Sequence, residues 1–176
     1  MKRRELEHVF RTASDIADDE EIVVIGSQAI LGQYPDAPEE LCVSTEADLY
    51  PKNRPERSDL IDGSIGEGSP FHSTYGHYAQ GVGVETATLP DGWQERLVPV
   101  RNANTRGATG LCLEAHDLVL SKYVAAREKD RRFAKAALAA GLVRVDTLRD
   151  RLEAMPIDAV AKERIRTMIA VDARPR

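Results

Sequence analysis

The sequence predicts an α+β fold, with a mixed β-sheet backed by helices and a C-terminal helical part. Short runs rich in β-branched residues alternate with segments whose apolar residues recur every three or four positions. Beyond about residue 115 the pattern is helical throughout. A chain of 176 residues can bury its own core. We predict a core over 1–140 and a C-terminal helical extension of the same domain over 141–176.

Helices are predicted where apolar positions recur with helical spacing. The first is typical, with Leu6, Val9, Phe10 and Ala13 on one face, and an acidic turn ends it. The second begins at Ser27 and ends at Gly32. The fourth, over 115–140, has a candidate break near Asp130. The predicted helices span 3–17, 27–32, 58–66, 115–140, 145–154 and 158–171.

Strands are predicted where short apolar runs are bounded by charged or turn-forming segments. The segment 66–76, GEGSPFHSTYG, is rich in glycine and serine and is predicted to be a loop. The predicted strands span 22–25, 41–50, 77–88, 96–102 and 109–114.

Composition excludes several classes of protein. No stretch approaches the roughly 20 apolar residues that a membrane span requires, and the N-terminus has no apolar signal core. We therefore expect a soluble, cytoplasmic protein. The two cysteines, Cys42 and Cys112, match no zinc or redox spacing and are expected to be reduced. The formal net charge of −5 does not indicate a nucleic-acid binder as a whole.

Two acids one residue apart, Glu46 and Asp48, lie in the second predicted strand. Successive side chains of a strand alternate faces, so both carboxylates are expected on one face. Like charges held this close raise each other's pKa unless a cation lies between them. Oxygen-only ligands favour Mg²⁺ or Mn²⁺. A solvent-facing edge strand with alternating polar residues is the alternative interpretation.

The first predicted strand ends in Gly26-Ser27 and enters a helix. A backbone amide and a hydroxyl at such a helix start can approach a phosphate. Ser27 can equally be an ordinary helix cap.

These two features together resemble the nucleotidyltransferase superfamily of DNA polymerase beta type. In that superfamily a strand, a Gly-Ser or Gly-Gly turn and a strand with D-x-D or E-x-D form the catalytic corner. The segment LCLEAHDLVLSKYVAAREKD is similar to a helical motif of small bacterial nucleotidyltransferases of the abortive-infection toxin class (AbiEii-like). The resemblance covers about residues 20–135. It departs from the pattern at Glu46, usually an aspartate, and at Phe133, where the last acid of K-D-x-x-D is expected.

The resemblance implies roles for individual residues. Glu46 and Asp48 match the metal ligands, and Gly26 and Ser27 match the phosphate-side turn. Lys122 matches the motif lysine, and Lys129 shares its predicted helix face, so both are expected to bind nucleotide. The alternative for Lys129 is a solvated helix face with the local pairs Glu128–Arg132 and Asp130–Lys135. We expect Lys122→Ala to weaken nucleotide binding with little effect on folding. The resemblance also implies a third carboxylate on a neighbouring strand, for which Glu85 is our candidate.

Two functions of different classes follow. One is an enzyme that transfers a nucleotide from a nucleoside triphosphate to a hydroxyl of RNA, protein or a small molecule. The class resemblance implies that such an enzyme is a toxin with a separate antitoxin protein. The other is a non-catalytic nucleotide-binding or protein-interaction module that retains the fold, and the incomplete K-D-x-x-D pattern favours it.

Overall fold

The computed structural model describes residues 1–174, which form a five-stranded mixed sheet with eight α-helices. This confirms the predicted α+β class. The strands are β1 (Glu21–Val24), β2 (Glu46–Pro51), β3 (Tyr78–Gly81), β4 (Val98–Val100) and β5 (Thr109–Cys112). The helices are α1 (Arg3–Ala17), α2 (Ile30–Gln33), α3 (Ser58–Ile65), α4 (Pro70–Tyr75), α5 (Ala115–Ala125), α6 (Glu128–Ala139), α7 (Val145–Glu153) and α8 (Ala159–Asp172).

The strand order is β3-β2-β1-β5-β4, so the strand with the two acids lies between β1 and the edge strand β3. Strand β2 runs antiparallel to β1 and parallel to β3. In the register with β3, Glu46 pairs with Tyr78 and Asp48 pairs with Gln80. Paired residues present their side chains on the same face of a sheet, so these four side chains share one face.

Helices α1 and α3 pack against the sheet, where glycines allow close approach. A Cβ at Gly110 of β5 would lie 2.1 Å from the Phe10 ring of α1. A Cβ at Gly81 of β3 would lie 1.9 Å from the carbonyl oxygen of Ser58 in α3. Both separations are too short for a side chain, so these glycines set the distance between the helices and the sheet.

The C-terminal helices α6, α7 and α8 all contact α5. Buried Leu148, Leu152, Ile165 and Ile169 from α7 and α8 belong to the same hydrophobic core as the sheet. This packing is compatible with the predicted helical extension over 141–176, whose last two residues lie outside the described part, and the division itself stays a prediction. No helix within residues 1–174 is both long and apolar enough to cross a membrane.

A buried charge network joins α7 to the start of α5. Arg151 of α7 bonds to Glu114 and, at 2.9 Å, to Asp117, whose side chain is fully buried. Arg96 reaches the same Asp117 carboxylate at 2.8 Å, and His116 Nδ1 donates to Glu114 at 2.7 Å. Burial by itself would raise the pKa of Glu114. The His116 hydrogen bond and the Arg151 charge outweigh burial and lower this pKa to about 2.

Several predicted elements differ from the observed ones. The predicted strand 41–50 is a strand only from Glu46, and the predicted strand 96–102 is a strand only over Val98–Val100. The predicted helix 27–32 is a 3₁₀ turn, Ser27–Ala29, followed by α2. The predicted loop 66–76 contains α4, which begins at Pro70 and is capped by the Ser69 hydroxyl, so that prediction is wrong. The predicted strand 77–88 is a strand only over Tyr78–Gly81. The predicted helix 115–140 is two helices separated at Ala126, which adopts a left-handed backbone conformation with φ 56° and ψ 13°.

Candidate functional site

A cavity of about 1480 Å³ lies along the sheet face that carries the two acids. Ser27, Glu46, Asp48, Lys122 and Lys129, all predicted from sequence as site residues, line it together. Drug-sized ligands typically occupy pockets of about 300–1,000 Å³, so this cavity has room for a nucleotide and part of a second molecule. We refer to it as the site cavity.

Asp48 is positioned by its contact with Gly26. The amide of Ile25 donates to the Asp48 carbonyl at 3.0 Å, which continues the pairing of β1 with β2. A Cβ at Gly26 would lie only 2.2 Å from Asp48 Oδ2. Glycine is therefore required at this position because the carboxylate packs directly against its Cα.

Both carboxylates of the acid pair have a raised pKa. Burial is the largest cause of the raised pKa of both Glu46 and Asp48. The Asp48 charge raises the pKa of Glu46 further, whereas the charges of Lys122 and Lys129 oppose the rise at Asp48. The sequence predicts that the two charges raise each other's pKa, but burial contributes more to the raised pKa of each carboxylate. Two half-buried carboxylates that resist ionisation are suited to a bound cation.

The Gly26-Ser27 turn is not closed by a side-chain cap. Ser27 begins a short 3₁₀ turn, Ser27–Ala29, whose N-cap is Gly26, and no side-chain hydrogen bond caps it. Ser27 is thus not the ordinary cap that the alternative interpretation assumed. It lines the site cavity beside the acid pair.

Lys122 reaches the site cavity from α5 although it is only 8% exposed. Its Nζ lies 3.4 Å from Asp130 Oδ1 and 5.9 Å from the centre of the Phe133 ring. Burial lowers the pKa of Lys122, and the charges of Asp130 and Asp48 oppose this effect. The ammonium therefore pairs with Asp130 and is also influenced by the charge of Asp48. Its burial also gives Lys122 a part in folding, which sequence reasoning did not expect.

Lys129 and Lys122 share the site cavity but do not lie on one continuous helix, because the chain turns at Ala126. Lys129 lies on α6, and its charge opposes the rise in the pKa of both Glu46 and Asp48. Asp130, only 2% exposed, also bonds to Arg127 Nε at 2.7 Å. The predicted local pair Glu128–Arg132 is present, whereas Lys135 pairs with Asp172 at 3.8 Å instead of with Asp130.

Glu85, predicted as the third carboxylate, lies in a turn beyond the end of β3 and is exposed. Its side chain folds over Gly83, and it is absent from the residues that line the site cavity. The strand position beside Asp48 is Gln80. No cluster of three or more His, Cys, Asp or Glu within residues 1–174 has the arrangement of a metal site. The role of Glu85 stays a prediction.

Sequence reasoning passed over two neighbours of the acid pair. Tyr78 shares the face of Glu46, and burial followed by the Glu46, Glu67 and Asp48 charges raises its pKa. Asp130, the last residue of the helical motif, pairs with Lys122 inside the site cavity. The i, i+2 pattern of Tyr78 and Gln80 in the third strand was the available signal for Tyr78.

The comparisons with known proteins agree with this geometry. No curated protein and no solved structure matches the chain. Residues 4–172 match the model of a family described as a nucleotidyltransferase of unknown function (DUF6036). Because the match spans nearly the whole chain, the protein belongs to this family of nucleotidyltransferases of unknown function.

Proposed function

We propose that the protein is a metal-dependent nucleotidyltransferase that transfers a nucleotide from a nucleoside triphosphate to a hydroxyl group. The observation that supports this most is the convergence of Glu46 and Asp48 with Lys122 and Lys129 in one cavity, beside the Gly26-Ser27 turn. A site with the two carboxylates and no metal would repel a triphosphate. A site that bound a triphosphate through its lysines only would have no need of the two acids. A metal-bound triphosphate satisfies both sets of charges.

Mg²⁺ or Mn²⁺ fits the acid pair. Both donors are hard carboxylate oxygens, and the pKa of each is raised, as expected where a counter-charge is needed. Glu46 and Asp48 would hold the ion, and phosphate oxygens and water would supply its other ligands. The bound ion would polarise the reacting phosphate and stabilise the charge that develops on it.

The remaining residues bind and orient the nucleotide. Lys129 lies near both acids, and Lys122 pairs with Asp130 and is influenced by the charge of Asp48, so both ammonium groups can neutralise triphosphate oxygens. A bond forms between the acceptor oxygen and the α-phosphorus while the α-phosphorus–oxygen bond to the β-phosphate breaks. Pyrophosphate leaves, and the acceptor proton passes to a carboxylate or to water. Glu85 is our predicted third acid for that proton.

The proposal extends to the acceptor of the nucleotide and to the biological role of the protein. RNA, a protein side chain and a small hydroxylated molecule remain the acceptors that we propose. The similarity of the E-x-D and K-D motifs to AbiEii-like proteins supports a toxin with a separate antitoxin, acting in the cytoplasm.

A second candidate is a non-catalytic nucleotide-binding or protein-interaction module. The ion pair between Lys122 and Asp130 favours it, because the lysine is already neutralised by the protein. Phe133, at the position of the last motif acid, packs against the same ammonium. Nucleotide binding without transfer would support this candidate.

The test is transfer of label from α-³²P nucleoside triphosphates in the presence of Mg²⁺ and a cell extract as the source of acceptors. The wild-type protein is expected to label an acceptor and release pyrophosphate. Asp48→Asn removes a ligand charge with little change of shape and is expected to abolish labelling. Asp59→Asn, an exposed position in α3, is the matched control. Equal labelling by Asp48→Asn and the wild type would contradict the proposal.

A further inference from the structure

Tyr78 is the residue paired with Glu46 across the β2–β3 ladder. Its backbone amide donates to the Thr45 carbonyl at 3.0 Å, which fixes the start of β3 beside the start of β2. The phenol lies on the same sheet face as the acid pair, and Glu46 is the carboxylate that most raises its pKa. Because Tyr78 and Glu46 are cross-strand partners on one sheet face, the Tyr78 phenol can donate to the Glu46 carboxylate.

Glu46 needs such a neighbour more than Asp48 does. Asp48 is confined by packing against Gly26. Glu46 is the first residue of β2, and its side chain has one more rotatable bond than aspartate, so more conformational entropy is lost when it is fixed.

The Tyr78 ring is itself supported by His72 of α4. The two ring centres are 4.5 Å apart, with an angle of 43° between the planes. His72 is held at both ends: its Nδ1 accepts from the Gly68 amide at 3.0 Å, and its own amide donates to the Ser69 hydroxyl at 3.1 Å. The Ser69 cap of α4 thus places His72 against Tyr78.

We propose that Tyr78, supported by His72, is a positioning residue that orients the Glu46 carboxylate for metal binding. The inference depends on the proposed metal site at Glu46 and Asp48. Hydrogen-bond partners of metal ligands fix ligand orientation, and their loss commonly weakens metal binding by about 10–100-fold. Loss of the Tyr78 hydroxyl should weaken metal binding by a factor at the lower end of that range, because Asp48 is positioned by Gly26 and not by Tyr78.

The experiment is a titration of the nucleotide-free protein with Mn²⁺, followed by electron paramagnetic resonance. Tyr78→Phe keeps the ring and removes the hydroxyl, and we expect it to weaken Mn²⁺ binding about tenfold. His72→Ala is expected to weaken binding in the same direction by a smaller factor. Tyr75→Phe, an exposed phenol three residues away in α4, is the matched control and should bind as the wild type does. Thermal unfolding of each variant checks that the fold is intact.

Asp48→Asn separates the two ways in which the inference can fail. If Asp48→Asn loses Mn²⁺ binding while Tyr78→Phe binds as tightly as the wild type, the metal site stands and the role of Tyr78 is refuted. If Asp48→Asn itself binds Mn²⁺ as the wild type does, the metal site is refuted, and the role of Tyr78 with it.

Discussion

Replacing Gly26 with alanine tests whether this glycine is present to make room for the Asp48 carboxylate. The backbone of Gly26 is extended, with φ −79° and ψ −177°, a conformation that any residue adopts. Backbone strain therefore plays no part. The added Cβ would lie 2.2 Å from Asp48 Oδ2 and 2.9 Å from Asp48 Cγ, so the carboxylate must move.

The expected loss follows from overpacking, which typically costs 1–3 kcal/mol. Because the clash falls on a half-buried side chain that can turn away, we expect Gly26→Ala to lower the free energy of unfolding by about 1–2 kcal/mol. We also expect Mn²⁺ binding to weaken at least about tenfold, since a metal ligand is displaced. Urea unfolding measures the first quantity, and Mn²⁺ titration measures the second.

Gly63→Ala is the matched control, because a Cβ at this position in α3 meets no atom within 4 Å. It should raise stability by about 0.5–1 kcal/mol, as alanine is a better helix former than glycine. In an Asp48→Ala background the clash with Oδ2 and Cγ is gone and only the contact with the Cβ of residue 48, at 2.9 Å, remains, so Gly26→Ala should cost less. An equal cost in both backgrounds, or unchanged Mn²⁺ binding by Gly26→Ala, would refute the reasoning.

Three further predictions concern folding and nucleotide binding. Lys122→Met should lower the free energy of unfolding by about 2 kcal/mol and weaken nucleotide affinity, because buried Asp130 keeps only Arg127 as a partner. Unchanged stability in urea would contradict this. The pKa of Glu114, lowered to about 2 from 4.5, gives about 3 kcal/mol of stability that is present above pH 4.5 and is lost as the pH falls towards 2. Glu114→Gln should therefore be less stable than the wild type at pH 7 and equally stable near pH 2; a pH-independent difference would be contrary evidence. Ala126→Gly should raise the melting temperature, with a gain of about 0.5–1 kcal/mol, because it relieves the left-handed conformation of Ala126; a lower melting temperature would show that this conformation carries no strain.

Much of the site was predictable from local patterns. Alternation along a strand placed Glu46 and Asp48 on one face, and the Gly26-Ser27 turn lies beside them because β1 and β2 are neighbours. These predictions depend only on the strand period and on short-range order along the chain. The five strands and the C-terminal helices followed from the same kind of pattern.

Predictions that depend on tertiary structure were less successful. The sequence contains no signal for register, so it does not show that Gln80 is the residue beside Asp48 or that Glu85 lies beyond the end of β3. Helical spacing put Lys122 and Lys129 on one helix face, but the chain turns at Ala126, and the two lysines meet in the site cavity from separate helices. The helix α4 was missed although Ser69-Pro70 is a common helix start, because the surrounding glycines favoured a loop.

The central claim is that Glu46 and Asp48 hold a divalent metal that binds a nucleoside triphosphate. Isothermal titration of each of the four nucleoside triphosphates, with Mg²⁺ and with EDTA, into the wild type and Asp48→Asn tests it directly. We predict that at least one nucleotide binds the wild type, that EDTA weakens this binding, and that Asp48→Asn weakens it at least about tenfold with Mg²⁺ present. Binding of equal affinity in the two proteins, or binding unaffected by EDTA, would contradict the claim.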